Sequence, residues 1–452
     1  MSEHVGGGLV GRPRALSGAS PGGLRRPSMP KRTGSMMDMP SVQVVLCGDL
    51  GGTNSRLELH RVPPDLGPEE LQLIGTVPPL FKKTYKNDNV DGEFNALLEQ
   101  FLEETGIPDL EIVAGCLAVA GPVQNDRVAF TNLSWVIDGR SIEDEFLMPK
   151  FSMRLVNDFE ANGYGVVTLD EDDYEDLSPR GPVNGVQGGP VAVIGAGTGL
   201  GETFATCANG LYTAWPSEGG HVAFAPRDEL QCELLLALSN KFGGRVSTER
   251  VVSGKGIVNV YEFLANKYPD EVNAALDRQI HAETEGALIV SRGAYDDALC
   301  SRAMDIVLDC YGEEIGNAAV KWLPFGGLYI AGGIAGKNLD RIRDSSSKFM
   351  TSYLDRGRVS TVLDKIPLRL VTVDDLGLRG AHYVALSTLI TVAIALKEGA
   401  PADEAPKDDG VVDKSSSRIE KALDNVSMAI KRAAATLAVA ITISAIIVTR
   451  RK

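Results

Sequence analysis

The sequence predicts an α/β protein built from a repeated unit, with a ligand held between the two copies. Two observations carry this reading. Strand-like apolar runs alternate with helical patterns across residues 42–397, and a strand–glycine turn–strand pattern occurs twice, at Gly48–Asn54 and at Gly195–Gly201. Alternating strands and helices pack as layered α/β structure. A chain of 452 residues also exceeds the ~250–300 residues that one hydrophobic core serves, so at least two cores are expected.

The elements follow in order. Val42–Cys47 is a largely apolar run leading into Gly48-Asp49-Leu50-Gly51-Gly52-Thr53-Asn54, after which Arg56–His60 alternates polar and apolar residues. That is strand, glycine turn, strand. Gly92–Glu104 has a helical pattern and Ile112–Ala120 that of a strand. Val191–Ile194, Gly195–Gly201 and Glu202–Thr206 repeat the first arrangement. Helical patterns cover Glu229–Phe242, Gly256–Lys267, Tyr295–Trp322 and Gly380–Leu396, and Leu328–Ala331 is a short buried strand running into Gly332-Gly333.

Two tails lie outside this body. Residues 1–41 are rich in Gly, Ser, Pro, Arg and Met without apolar periodicity, the composition of a disordered segment or of an organelle transit peptide. Residues 398–417 have linker composition, and residues 418–432 suit a charged helix. Residues 433–448 then form sixteen uncharged residues between Lys431-Arg432 and Arg450-Arg451-Lys452. With Thr449 the run reaches the lower edge of the ~17–25 residues that span a bilayer. The expectation is a tail anchor in an organelle's outer membrane with the body in the cytosol. A helix docking on the body or on a second subunit, as in a homodimer, and import directed by residues 1–41 are the competing readings.

Charge is uneven too. The total of −15 comprises +4 in residues 1–41 and +6 in 414–452, which leaves −25 on 42–413. Such a body repels a phosphate backbone, which argues against nucleic-acid binding. An anionic ligand would need backbone amides and a metal. Six cysteines without a C-x-x-C pair give neither a disulfide scaffold nor a zinc knuckle, and read as buried thiols.

Neither glycine turn has the G-x-x-x-x-G-K-[S/T] spacing of a Walker loop. Gly195–Gly201 also departs from the dinucleotide fingerprint, because a strand and not a helix follows it. Clustered glycines in a hairpin let several amides point outward together, forming a nest for phosphate oxygens. Thr53, Asn54 and Thr198 can add side-chain donors. Asp49 would be repelled by phosphate unless a divalent cation intervenes, which makes it a candidate Mg²⁺ partner through water. One such turn would be read as a plain tight hairpin, whereas two, one bearing an acid, point to a nucleotide.

Three polar clusters accompany the turns: Asn157-Asp158 at a strand end, Glu218-Gly219-Gly220-His221 in a loop, and Glu249 before Val251-Val252. Singly, each has an ordinary alternative, such as a helix cap or a surface histidine. Together they supply the carboxylates and amides that grip several hydroxyl groups at once, as sugars require.

These motifs resemble those of the bacterial-type glucokinases of the hexokinase/actin-like ATPase superfamily. Gly48–Asn54 and Gly195–Gly201 look like the two phosphate motifs, and Ala331-Gly332-Gly333-Ile334 like the adenosine motif. Thr131-Asn132-Leu133-Ser134-Trp135, Asn157-Asp158-Phe159, Glu218–His221, Glu249-Arg250-Val251 and Ser253-Gly254 resemble the sugar-site signatures. The likeness runs collinearly from about Val42 to Leu396. It implies a two-lobed, ribonuclease H-like fold, with a small lobe of residues 42–168 joined by 371–397 and a large lobe of 169–370, closing on glucose. It implies Asp158 as the general base facing the sugar 6-hydroxyl, with Asn157 beside it and Asn132, Glu218, His221 and Glu249 holding other hydroxyls. ATP and Mg²⁺ are the implied cofactors, with nucleotide contacts at Asp49, Gly51, Gly52, Thr53, Asn54, Gly195, Gly197, Thr198, Gly199, Gly201, Gly332 and Gly333. Where a sister group, the ROK kinases, carries zinc-binding cysteines after its E-x-G-H, this chain has Cys232 alone, so no structural zinc is expected. The competing functions are a kinase for mannose, fructose or an amino sugar, and an inactive sugar sensor or membrane scaffold. Intact Asp49, Asp158 and glycine turns speak against the latter.

Overall fold

The computed structural model describes residues 42–397, apart from 65, 90–92, 131, 132, 134, 283 and 284. The tails, with the apolar run 433–448, and the candidate Asn132 lie outside the described residues. Among the described residues no helix is long and apolar enough to cross a membrane.

The first sheet comprises β1 (Val42–Leu50), β2 (Asn54–Arg61), β3 (Phe81–Lys86), β4 (Leu110–Val119) and, beyond a small hairpin of β5 (Arg127–Ala129) and β6 (Val136–Asp138), β7 (Met153–Asn157). Their order is β3-β2-β1-β4-β7. The second sheet is built from β8 (Tyr174–Asp176), β9 (Val191–Ala196), β10 (Leu200–Ala208), β11 (Leu211–Trp215), β12 (Gly327–Ala331) and β13 (Leu368–Val371), in the order β11-β10-β9-β12-β13-β8. The first five positions of the two orders correspond. In each, an antiparallel glycine hairpin leads into parallel strands on the other side. The repeat expected from two glycine turns therefore extends to the whole sheet.

Helices cover both sheets: α1 (Phe94–Glu104), α2 (Gly139–Glu145), α3 (Asp158–Gly165), α4 (Glu229–Phe242), α5 (Gly254–Lys267), α6 (Ala274–Ala282), α7 (Gly286–Gly293), α8 (Ala298–Trp322), α9 (Gly333–Lys337), α10 (Leu339–Ile342), α11 (Lys348–Leu354) and α12 (Leu376–Lys397). On one face of the first sheet, α1 and α2 pack Phe94, Leu98, Phe101 and Ile142 against Leu46, Leu57 and Leu117. On the other face, α12 lays Ala381, Val384 and Ala385 against Val45, Ala114 and Cys116. The second sheet's main core packs Ile194, Leu328 and Ile330 against Val260, Met304, Val307 and Tyr311.

Several boundaries differ from the sequence reading. Asp49 is not in the first turn. It continues β1, because ladder partners Arg56 on β2 and Ala118 on β4 hold the strand past its apolar run. Helix α8 starts at Ala298 and not at Tyr295, since the Asp297 carboxylate caps it by accepting from the Leu299 and Cys300 amides. The expectation of buried thiols holds for Cys47, Cys116, Cys300 and Cys310, whereas Cys207 is half-buried and Cys232 is exposed on α4.

Helix α3 joins the two sheets. Its Gly163 lies where a Cβ would press on Thr203 of β10 and Ala214 of β11 at 3.0–3.1 Å. On its other side, Cβ atoms at Gly165 and at Gly380 of α12 would collide with the carbonyl oxygens of Leu376 and Ala161. Backbones at that separation leave no room for a side chain, which fixes α3 between α12 and the second sheet.

Candidate functional site

Three parallel strands of the first sheet end together, since Leu50 pairs with Val119 and Val119 with Asn157. Ligands in α/β sheets bind outside such carboxyl ends. Asp49 stands there on β1 and Asp158 begins α3 directly after β7. Both are half-buried. Burial pushes the Asp158 carboxyl up from its ordinary range, against hydrogen bonds from the Phe159 amide and Asn157 that draw it down. Burial also raises the Asp49 carboxyl; Arg56, 3.7 Å away, lowers it and Asp158 raises it again. Asp49 on β1 and Asp158 after β7 are hard oxygen donors at the same end of the sheet. Mg²⁺ keeps most of its waters and uses one or two carboxylates plus phosphate oxygens, so Asp49 fits that ion. Among the described residues no three His, Cys, Asp or Glu gather into a protein-only metal cage.

Asn157 has a local task. Its Oδ1 accepts from the Phe159 and Glu160 amides at 2.9 and 3.3 Å, which caps α3. Its Nδ2 donates to the Gly121 carbonyl at 3.3 Å. Asn157 thus fixes the helix start that presents Asp158.

The first turn is braced from outside. Asn87 donates through Nδ2 to the Gly51 carbonyl at 2.8 Å and accepts from Ser55 Oγ at 2.8 Å, while its amide donates to the Thr53 carbonyl at 2.9 Å. Gly52 faces open space, with nothing within 4 Å of a Cβ added there.

The second turn divides its glycines between two tasks. Gly195 and Gly201 sit opposite each other in the β9–β10 hairpin, and the Phe159 ring lies against both. A Cβ at Gly195 would come within 2.9 Å of that ring, and one at Gly201 would collide with it. Gly197 opens onto space, and Gly199 faces the carboxylate of Glu249 at 2.7 Å from an added Cβ. Gly195 and Gly201, expected to meet phosphate, instead accommodate an aromatic ring. At the tip the Gly197 amide donates to the Gly199 carbonyl at 2.8 Å, and Thr198 is exposed. The Gly254 amide at the start of α5 donates to the Gly197 carbonyl at 2.8 Å, and Gly332, at φ 86°, closes on the Ala196 carbonyl oxygen, 2.5 Å from an added Cβ. The second turn, the Ser253-Gly254 corner and Gly332-Gly333 therefore form one neighbourhood.

The sugar-type residues meet this turn at Leu200. Its amide donates to Glu249 Oε2 at 3.0 Å, and its carbonyl lies so close under Gly220 that no Cβ fits there. Glu218 is 89% exposed and His221 56%, 3.7 Å apart, so both are free to meet a ligand. The loop is tied down behind them, where the Thr248 amide donates to the Val222 carbonyl at 2.9 Å and Arg245 donates to the His221 carbonyl. Glu249 does not cap the following helix. Ser253 does, accepting from the Gly256 amide at 3.0 Å.

Beneath the loop lies Glu202, which the sequence reading missed. It is 1% exposed, packs so closely under Gly219 that a Cβ there would have to push its carboxylate aside, and finds no hydrogen-bond partner for either oxygen among the described residues. Burial and the neighbouring Glu314 push its carboxyl up to about 7, with Lys321 at 3.7 Å opposing. Asn87 was likewise missed, since a lone Asn carries no signal until the chain is folded, and Phe159 stood only as the last residue of Asn157-Asp158-Phe159, without its role as a ring packed on the second hairpin.

The comparisons agree with one another. A family model described as Glucokinase matches residues 46–388. A glucokinase of Nostoc sp. (strain PCC 7120) is 37% identical over 355 residues, covering 76% of this chain and 98% of the relative. One of Synechocystis sp. (strain PCC 6803) is 36% identical over 358 residues, covering 75% and 97%. Among solved structures, glucokinase from an Antarctic psychrotroph superposes with a TM-score of 0.63 at 25% identity over 76% of this chain and 99% of that one. Glucokinase from Balamuthia mandrillaris, solved with glucose, superposes with a TM-score of 0.58 at 21% identity, over 76% and 93%. The fold is the mixed α/β, actin-like ATPase fold of these sugar kinases.

Two predictions follow from the packing. Gly201→Ala should destabilise the protein by about 1–3 kcal/mol through overpacking against Phe159, while Gly197→Ala should stay within about 0.5 kcal/mol; equal melting temperatures for the two variants would remove the distinction between their roles. Glu202 holds its proton in the folded chain at pH values where the unfolded chain, near 4.5, has released it. Stability should therefore fall as pH rises from about 4.5 to about 7, and Glu202→Gln should lose that part of the slope. Thermal unfolding at about pH 5 and about pH 8 tests this, and parallel slopes in both proteins would refute it.

Proposed function

The chain belongs to the glucokinase family of ATP-dependent sugar kinases, and on that premise we propose that it transfers the γ-phosphoryl group of ATP to O6 of glucose. The observation that carries the reading is the placement of Asp158, half-buried at the start of α3, and of Asp49 on β1 at the common end of three parallel strands. Asp158 accepts the proton of the 6-hydroxyl. It needs to be ionised and within about 2.6–3.2 Å of that oxygen once the site is closed. Phosphoryl transfer passes through a loose transition state, so positioning and charge neutralisation supply most of the catalysis.

The backbone of the Gly197–Gly199 tip, the hydroxyl of Thr198 and the Gly51–Asn54 turn hold the phosphates, and Gly332-Gly333 the adenosine. Mg²⁺, when bound, supplies the positive charge that the phosphates need, and Asp49 holds it. Glu218, His221 and Glu249 take sugar hydroxyls. Asn132 has the same role by the family resemblance, and Asn157 acts by fixing Asp158. Residues 42–168 with 371–397 form one lobe and 169–370 the other, and their closure excludes water as a competing acceptor. The apolar run 433–448 with its basic flanks serves as a membrane-attached tail. Alkaline carbonate extraction would leave full-length protein, but not a chain ending at Lys397, in the pellet, and two soluble proteins would disprove the tail.

Asp158→Asn should lower kcat by about 10²–10⁴, with a smaller effect on glucose binding. The acid limb of the pH–rate profile should lie above the ordinary aspartate range near 3.9, because activity falls as pH drops through the raised pKa of Asp158. A coupled assay of ATP with glucose, mannose, fructose and glucosamine measures both rate and sugar preference. Near-wild-type turnover in Asp158→Asn would reject the base, and a stronger rate with another hexose would reject glucose.

A further inference from the structure

A cavity of about 240 Å³ lies at the end of the second sheet away from its glycine turn. Val191 and Gly326 line it where β9 and β12 begin, whereas the turn and Gly332 follow the other ends of those strands. Val166, Val167 and Leu169 form another wall, on the stretch by which the chain leaves α3 for the second sheet. Arg369 of β13 and its register partner Tyr329 of β12 line it too. Arg369 is half-buried. The other half-buried arginines, Arg56, Arg140, Arg341, Arg356 and Arg379, each hold a carboxylate at 2.6–3.7 Å. Among the described residues Arg369 holds none. Asp176 stands opposite it on β8, but its carboxylate accepts from the Ser178 amide at 2.8 Å. Tyrosines flank the guanidinium instead. Nη1 donates to Tyr329 Oη at 2.7 Å, the central carbon lies 4.4 Å from the centre of the Tyr174 ring, and Nε is buried without a partner. A half-buried cation without a counter-charge is costly, and in a chain with 60 acidic residues its lack of one calls for a reason.

We propose that this cavity is a second binding site, for a small carboxylate with an apolar or aromatic body whose charge pairs with Arg369. Guanidinium groups recognise carboxylates and phosphates through charge-assisted hydrogen bonds. Here Tyr329 already takes Nη1 and Nε is buried, which leaves Nη2 as the donor and excludes a two-pronged grip. One donor, with Asp176 on the next strand, suits the single charge of a carboxylate better than the double charge of a phosphate ester. Val166, Leu169, Val186 and Tyr212 supply the apolar walls. The volume falls below the ~300–1,000 Å³ of pockets for drug-sized ligands, so the ligand is small. None of the lining residues belongs to the glycine turns or to the Glu218–His221 loop. The site is therefore separate from the cleft, and its ligand would touch the chain that runs from Asp158 to the second sheet.

The test is calorimetric titration of the full chain with benzoate, with its neutral analogue benzamide and with phenyl phosphate. Benzoate should bind at one site, at least about tenfold tighter than benzamide, the worth of one hydrogen bond to a charged group, and tighter than phenyl phosphate. Saturating Mg²⁺-AMPPNP should not displace it. Arg369→Gln should weaken benzoate about tenfold and leave benzamide unchanged, with cooperative thermal unfolding reporting that the variant is folded. Val186→Phe, at a wall position 57% exposed and so tolerant of a larger side chain, keeps Arg369 but fills the cavity, and it should abolish benzoate binding. Should Arg369→Gln fail to fold, this second variant decides. The site is overturned if benzoate does not bind, if benzamide binds as tightly, or if AMPPNP displaces it. Wild-type benzoate affinity in either folded variant overturns it as well, and tighter binding of phenyl phosphate overturns the carboxylate assignment.

Discussion

The seat of the Phe159 ring between Gly195 and Gly201 is the constraint on which the site depends. The ring follows Asp158 by one residue and lies on a hairpin of the other sheet, so the position of Asp158 is registered directly to the second glycine turn. Two missing Cβ atoms on facing strands make the slot. The helix that starts at Asp158 is then held by close backbone contacts at Gly163, Gly165 and Gly380. A group carried on so short and so tightly packed a helix has little freedom, and positioning within a fraction of an ångström is what phosphoryl transfer demands.

Around that fixed point the electrostatics are arranged in deficit. Asp49 and Asp158 stand at the same end of the first sheet, the Glu249 carboxylate lies against Gly199 and Glu202 is buried under Gly219, all within a body carrying −25 over residues 42–413. Positive field comes from backbone amides and from whatever cation accompanies the nucleotide.

The backbone of Leu200 is where the nucleotide and sugar sides meet, its amide turned to Glu249 and its carbonyl to Gly220. Nothing about a leucine in the sequence marks such a position, because the function belongs to its peptide groups. The same holds for Asn87, whose three hydrogen bonds shape the first turn from a segment more than thirty residues away. Asn157 was legible as a strand-end residue, but its use as a helix cap depended on where α3 begins.

The sequence by itself determined the alternation of strands and helices, the doubling of the glycine hairpin, the set of motifs and the family, since periodicity and collinear short motifs are properties of the chain. Its charge distribution, −25 over residues 42–413, is likewise a property of the chain alone. The tertiary structure decided which glycines of Gly195–Gly201 admit a ring and which form the tip, and that Asp49 stands on a strand and not in the turn. It also decided that Glu249 rests on the Leu200 amide and that Glu202 lies buried beneath Gly219, with Lys321 3.7 Å away. A motif states that a Cβ is absent, but only the packed neighbour states what fills its place. A carboxylate's partners are likewise set by which distant segments the sheets bring to its edge.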